Sequence, residues 1–336
     1  MPVLFIFAFS LIASLLLHFF GLKTLKHFQF KQSVRECGPQ THKAKSGTPV
    51  MGGLMIIAAL NILALVFLPW LAPASGGLFP PFTNEVIILL TLFTLTGVIG
   101  FIDDFLIVKY GKNNGLKARY KLLGQLIIAG FFCTYLLKND FHLMVSPFLH
   151  LLGMDNPILY VLFSSFIVIG VSNAVNLSDG LDGLASGISI IVLLVFAFIA
   201  WHLNATAVQF NSPQLFYLAL LAAIVVLSFL VFNYNPAKMF MGDVGSLALG
   251  TLLAGFALLL RAELYLAFVG VVFVWDTLSV ILQVGHFRLT KGKRLFKMSP
   301  FHHHLELCNW SEKKIVHCAW AVTAVMGVLA VLFRIR

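Results

Sequence analysis

Ten stretches of almost unbroken apolar residues alternate with short polar segments along the chain. They fall at about 3–20, 50–70, 86–102, 119–137, 157–175, 184–202, 213–232, 244–260, 264–285 and 315–333. An α-helix needs about 20 apolar residues to cross the roughly 30 Å of a bilayer's hydrocarbon. Each run therefore predicts one spanning helix, and the whole predicts an all-α polytopic membrane protein, a single integral domain over 1–336. Local punctuation agrees at two helix starts. Asp155-Asn156-Pro157 and Asn211-Ser212-Pro213 each place a capping residue before a proline suited to the first helical position. No internal repeat is evident, which argues against a transporter built from duplicated halves. The first run lacks a basic flank and reads as a retained helix rather than a cleaved signal.

Composition excludes a soluble domain: 60% of the 336 residues are hydrophobic, 11% are charged and the mean hydropathy is +0.95. A net charge of +10 would fit a nucleic-acid partner if the charges formed one surface patch. They do not. Nineteen of the 23 Lys and Arg residues fall in the polar segments 21–49, 104–121, 233–243 and 286–314, which lie on one side of a ten-helix alternation. The positive-inside rule makes that side cytoplasmic and both termini extracytoplasmic. The basic charge orients the chain in a membrane, with no nucleic acid implied. The four cysteines suggest no disulfide framework, since Cys133 and Cys318 sit in apolar runs while Cys37 and Cys308 lie far apart in basic loops.

On that topology the carboxylates gather on the cytoplasmic side. Asp103 and Asp104 close the third run, Asp179 and Asp182 enter the sixth, and Asp243 enters the eighth. One Asp at mid-bilayer costs roughly 2.5–3.5 kcal/mol or more, so such residues mark either a function or a membrane boundary. Each alone reads equally as a helix end or an N-cap. Caps leave unexplained the glycines around Asp179, Asp182 and Asp243, which permit tight turns or close approach of a ligand. Clustered carboxylates suit a hard divalent cation such as Mg²⁺, and nearby lysines suit phosphate. Together they point to phosphoryl transfer, carried by the loops 21–49, 103–121, 176–183, 233–243 and 286–314.

Three further features stand out. His302-His303-His304 with Glu306 lies in the basic loop before the last helix, where three consecutive residues make a poor zinc site and a better set of groups for phosphate. The segment from Lys45 to Gly53, with Thr48 inside it, is rich in turn residues. Asp276 lies within the ninth run, and an intramembrane carboxylate is functional by default, although Thr277, Ser279 or Gln283 could satisfy it structurally.

Taken jointly, these pieces resemble the phospho-N-acetylmuramoyl-pentapeptide transferases, within the polyprenyl-phosphate hexosamine-1-phosphate transferases. The matching segments are Gly47-Thr48-Pro49 with Met51-Gly52-Gly53, Asp103-Asp104, Asn173 through Gly183, Asn233 with Pro236-Ala237-Lys238, Phe240-Met241-Gly242-Asp243, and Gly292-Lys293-Arg294 leading to the histidines. They run in family order over nearly the whole chain. Departures are small: Val50 for the usual Thr, Asp276 for Glu, and Cys308-Asn309 for Lys-Gly before Trp310. The resemblance implies ten membrane helices in the cytoplasmic (inner) membrane, Mg²⁺ dependence, and transfer of phospho-MurNAc-pentapeptide from UDP-MurNAc-pentapeptide to undecaprenyl phosphate, giving lipid I and UMP. It implies that Asp243 is the metal ligand and that Asp103 and Asp104 position or deprotonate the lipid phosphate. Lys121, His302 and His303 would neutralise phosphate charge, with Lys45, Thr48, Asn176, Asp179, Asp182, Asn233 and His304 on the substrate. Surrounding membrane lipid follows from the fold, and a homodimer is compatible with it. The rival readings are a sister enzyme that transfers GlcNAc-1-phosphate to the same lipid and, from another class, a membrane transporter.

The topology generates a direct prediction. In a cysteine-free background, a cysteine at Ser146 should react with an impermeant thiol reagent on intact cells, with any outer membrane permeabilised, and one at Lys293 should not. The reverse labelling would overturn the orientation.

Overall fold

The computed structural model describes residues 3–28, 47–72, 82–111, 115–138, 156–205 and 213–335. Lys45, Cys37 and the 139–155 connection, including Ser146, lie outside them. The chain forms α1 (Val3–His27), α2 (Gly53–Leu71), α3 (Asn84–Tyr110), α4 (Ala118–Lys138), α5 (Pro157–Ser178), α6 (Leu184–Ala205) and α7 (Pro213–Asn233). It continues through α8 (Gly242–Leu259), α9 (Glu263–Val269), α10 (Val271–Leu289), α11 (Phe301–Glu306) and α12 (Glu312–Ile335). Among the described residues there is no strand. Nine helices there are long and apolar enough to cross a membrane, or ten if the bent pair α9–α10 is one span.

The centre of the bundle is α8. Every residue from Val244 to Leu259 is buried, the signature of a helix that is apolar on all sides. It packs against α3, α5, α2 and α6, while α7 lies between α6 and the α1–α2 pair. Without a hydrophobic driving force between helices in lipid, small residues at the contact decide how closely backbones approach. Gly100 of α3 is such a contact: a Cβ there would overlap the main-chain carbonyl of Asp243. That close approach brings the Asp103-Asp104 turn of α3 against the N-terminus of α8. The outer helices leave large apolar side chains exposed, among them Phe5, Ile62, Ile127, Phe166 and Phe333, as a lipid-facing surface requires.

Of the two expected helix starts, one is described, while Asn211 and Ser212 of the other lie outside the described residues. Asn156 caps α5 by accepting from the Ile158 and Leu159 amides at 2.9 and 3.3 Å, with Pro157 as the first helical residue. Three expectations need correction. The third helix does not end at residue 102: α3 continues to Tyr110, carried outward by stacked Phe101 and Phe105 and by Lys109 over Phe105 and Tyr110. Asp103 and Asp104 are therefore inside a helix, 6% and 8% exposed, and need partners. The ninth run is not one straight helix. It breaks at Gly270, which ends α9 and begins α10, with a bend of 79°. Finally, the histidine run is not irregular loop but the short helix α11.

Candidate active site

Asp103, Asp104 and Asp243 converge where α3 meets the start of α8. Lys121, in the first turn of α4, joins two of them: its ammonium pairs with Asp243 and lies 3.3 Å from Asp103 Oδ2. Asp103 Oδ1 accepts the Leu116 amide at 2.7 Å, which ties the 115–117 segment to α3. Asp104 Oδ2 accepts the Val244 amide at 3.1 Å. The α8 N-terminus has no side-chain cap of its own, since Met241 cannot supply one, so Asp104 caps it from the neighbouring helix. Asp243 sits in the first turn of α8, where the helix dipole favours a negative charge. Its other oxygen, Oδ1, accepts from Asn176 Nδ2 at 2.7 Å, and the same amide nitrogen lies 2.8 Å from Ser246 Oγ.

A second network lies beside the first. The end of α5 and the turn after it carry Asn176 to Asp243, Ser178 to Asp276 and Asp182 to the 235–237 segment. Asp276 Oδ2 accepts from Ser178 Oγ at 3.0 Å and from His302 Nδ1 at 2.8 Å. Asp182 Oδ2 accepts from Asn235 Nδ2 at 3.1 Å and from the Ala237 amide at 3.0 Å, while its own amide donates to Glu312 Oε1 at 2.6 Å. Asn233 uses its amide wholly within the protein, accepting from the Gly183 amide and Ser186 Oγ and donating to the Met239 carbonyl. Its geometry is that of a fastener between α7 and the 176–183 turn.

The remaining expected residues fall around this centre. Thr48 precedes Pro49, whose carbonyl accepts from the Phe240 amide at 2.8 Å, and Gly52 and Gly53 donate to the Phe240 and Met241 carbonyls at 2.9 Å each. The glycine-rich entry to α2 is thus laced to the segment leading into Asp243. Asp179 is the C-cap residue of α5, not an N-cap. The histidines take three separate partners: His302 Asp276, His303 Glu306 at 2.7 Å, and His304 the Lys297 amide at 3.2 Å. Five aspartates were expected to converge. Three do, Asp182 belongs to the adjoining clasp, and Asp179 stands at a helix end.

The donor set of the trio is carboxylate oxygen with one ammonium among it, so three carboxyl groups face one positive charge. Among the described residues no three His, Cys, Asp or Glu side chains are arranged to hold a metal ion by themselves. Mg²⁺ does not require that, because it is commonly bound through one or two carboxylates plus substrate phosphates and water. The oxygen-only trio fits such an ion and is a poor match for zinc.

Residues 86–261 match the family described as "Glycosyl transferase family 4". Relatives named phospho-N-acetylmuramoyl-pentapeptide-transferase in Staphylococcus aureus strains bovine RF122 / ET3-1, MSSA476 and JH9 are each 45% identical over 313 residues, covering 92% of this chain and 92% of theirs. The chain belongs to glycosyl transferase family 4, among the phospho-N-acetylmuramoyl-pentapeptide-transferases. The family match spans α3 through α8 and so contains all three clustered carboxylates and Lys121.

Within this family member, sequence reasoning missed several residues that build the site. Glu312 holds both the Asp182 amide and Asn235, and nothing local in its helix start signals that. Gln283, considered as a partner for Asp276, instead accepts from the Leu295 and Phe296 amides at 3.0 and 2.8 Å and so anchors the loop before α11. Ser279 donates to the main-chain carbonyl of Asp276 and Thr277 to that of Phe273, so neither reaches the carboxylate. Buried Gln125 and Ser172, with half-buried Asn173, link α4, α5 and α8 beneath the trio through bonds of 3.0–3.2 Å, including Ser172 Oγ to the Leu247 carbonyl. A glutamine one turn after Lys121 was a readable signal for this ladder.

The capping geometry separates two roles of Asp104. Asp104→Asn keeps an acceptor for the Val244 amide and Asp104→Ala does not, while both remove the charge. The alanine variant should be less stable than the asparagine variant by about 0.5–2 kcal/mol, the usual cost of a lost cap. Thermal midpoints of the purified variants in detergent check this, and equal midpoints would contradict the cap.

Proposed function

We propose that this protein transfers phospho-MurNAc-pentapeptide from UDP-MurNAc-pentapeptide to undecaprenyl phosphate, giving lipid I and UMP at the cytoplasmic face of the inner membrane. The observation that carries the reading is the Lys121 ammonium held between Asp103 and Asp243 at the α3–α8 junction. A buried, partly neutralised carboxylate cluster at the end of spanning helices is what a reaction between a water-soluble diphosphate and a membrane lipid phosphate requires. The relatives' names and the family membership support the same chemistry. The polar segments that hold the site carry most of the chain's Lys and Arg, which supports a cytoplasmic position.

Phosphoryl transfer depends on positioning and charge neutralisation more than on covalent chemistry by the protein. Asp243 is the residue that would hold Mg²⁺, with Asp103 and Asp104 adjacent. Bound there, Mg²⁺ would neutralise phosphate charge. Lys121 would supply a fixed positive charge to the phosphate, and its two carboxylate partners hold its flexible stem in place. Asn176 orients Asp243. The Asp103-Asp104 pair would receive the lipid phosphate, Asp103 being held by the Leu116 amide and Lys121. His302, His303 and His304, on α11, would face further phosphate charge, and Lys45, Thr48, Asn176, Asp179 and Asp182 the nucleotide end.

The test is a transfer assay on the purified protein with undecaprenyl phosphate and each of two donors, read as UMP released and as labelled lipid formed. UDP-MurNAc-pentapeptide should support Mg²⁺-dependent turnover and UDP-GlcNAc should not. Turnover with UDP-GlcNAc alone would reassign the protein to the sister transferase, and turnover with neither would end the enzymatic reading.

A further inference from the structure

Asp276 is 3% exposed and lies in the middle of α10, apart from the carboxylate trio. Its partners are specific. Oδ2 accepts from Ser178 Oγ at 3.0 Å and His302 Nδ1 at 2.8 Å, and Oδ1 accepts the His302 amide at 3.3 Å. An ionised carboxylate only accepts, so Nδ1 must carry its proton and Nε2 is the ring atom left over. His302 is also 3% exposed, and among the described residues its Nε2 has no hydrogen-bond partner. In a network otherwise well satisfied, a buried orphan nitrogen calls for an explanation.

The direction of that nitrogen supplies one. It lies under Gly180, where an alanine Cβ would stand 2.6 Å from it. Gly180 belongs to the turn after α5, whose Asn176 bonds Asp243. The orphan atom is therefore aimed at the turn that borders the active site. Around it, Trp275, Phe296 and Phe301 pack edge to face, and Gln283 holds the 295–296 segment, so α11 is fixed by α10 from both sides.

We infer that Asp276 is a positioning residue: it locks the His302 ring through Nδ1 and the main chain, so that Nε2 is presented to a phosphate oxygen of the substrate at the Gly180 turn. This rests on the transfer reaction proposed above. An oxygen reaches Nε2 by displacing the turn at Gly180, which has no side chain in the way. Nε2 donates to such an oxygen when the ring carries a proton on both nitrogens. Asp276 itself touches no substrate.

The experiment is a double-mutant cycle of Asp276→Asn and His302→Gln, with kcat and KM for UDP-MurNAc-pentapeptide and the thermal midpoint measured for each protein. Asp276→Asn should lower kcat about 10–100-fold, the usual effect of losing a residue that orients a functional histidine, with KM little changed. The double variant should fall no further than His302→Gln alone. Multiplying losses, or an Asp276→Asn enzyme within twofold of wild type, would overturn the inference. Should Asp276→Asn not fold, Gly180→Ala offers an independent arm. It crowds Nε2 without touching Asp276, and it should lower kcat in wild type but have no effect in the His302→Gln background; an equal loss in both backgrounds would contradict the role. The pairing is also testable without turnover. In histidine-¹⁵N-labelled protein in bilayers, the resonance lost in His302→Gln should report a protonated Nδ1. An unprotonated Nδ1 would sink the inference even if transfer occurs, whereas absent transfer with a protonated Nδ1 would sink the reaction and the substrate contact while leaving the Asp276–His302 pairing intact.

Discussion

Three carboxylates drawn together where α3 meets the start of α8 are the constraint from which the rest of this structure follows. Carboxylates gathered in one partly buried site repel one another when ionised, since two unit charges about 4 Å apart interact by about 4 kcal/mol at an effective dielectric of about 20. Lys121 offsets part of this by pairing with Asp103 and Asp243, but it cannot serve all three. Asp104 is satisfied differently, by the amide of Val244 at the positive end of α8. The residual negative charge is the physical reason for expecting a divalent cation and cationic side chains to complete the site with substrate.

The end of α5 transmits this arrangement outward. Within a few residues, Asn176, Ser178 and Asp182 reach Asp243, Asp276 and the Asn235–Ala237 segment respectively, and the Asp182 amide reaches Glu312 on α12. One turn thus joins the carboxylate trio, the Asp276–His302 pair and the C-terminal helix. The chemistry borne by each is distinct, but none can move without the others noticing. Asn233, buried and fully used by Gly183, Ser186 and Met239, pins the same turn from α7.

Much of the fold was legible because hydrophobic length in a bilayer is a strict requirement: the ten runs correspond to the spanning helices and to the bent pair. What was not legible depended on tertiary partners. The continuation of α3 past Asp104 was hidden because two adjacent aspartates read as a membrane boundary until Leu116, Lys121 and Val244 supply their hydrogen bonds. The break at Gly270 lies within a run whose hydropathy is continuous, so length alone favoured one helix. The trio's members and Lys121 were identifiable from acidic residues on one side of the membrane and from resemblance. The partition of roles was not: that Asp104 caps α8, that Asp182 meets the 235–237 segment and Glu312, and that Asp276 pairs with His302 are facts of through-space geometry between distant segments.

The excess of carboxylates at the α3–α8 junction would receive a divalent cation through Asp243. Electron paramagnetic resonance of Mn²⁺, standing in for Mg²⁺, measures this directly when titrated into the purified protein with UMP present. One bound Mn²⁺ per chain is predicted, lost in Asp243→Asn and retained in Asp276→Asn, whose carboxylate pairs with Ser178 and His302 away from the trio. Mn²⁺ binding by Asp243→Asn equal to that of wild type would contradict it.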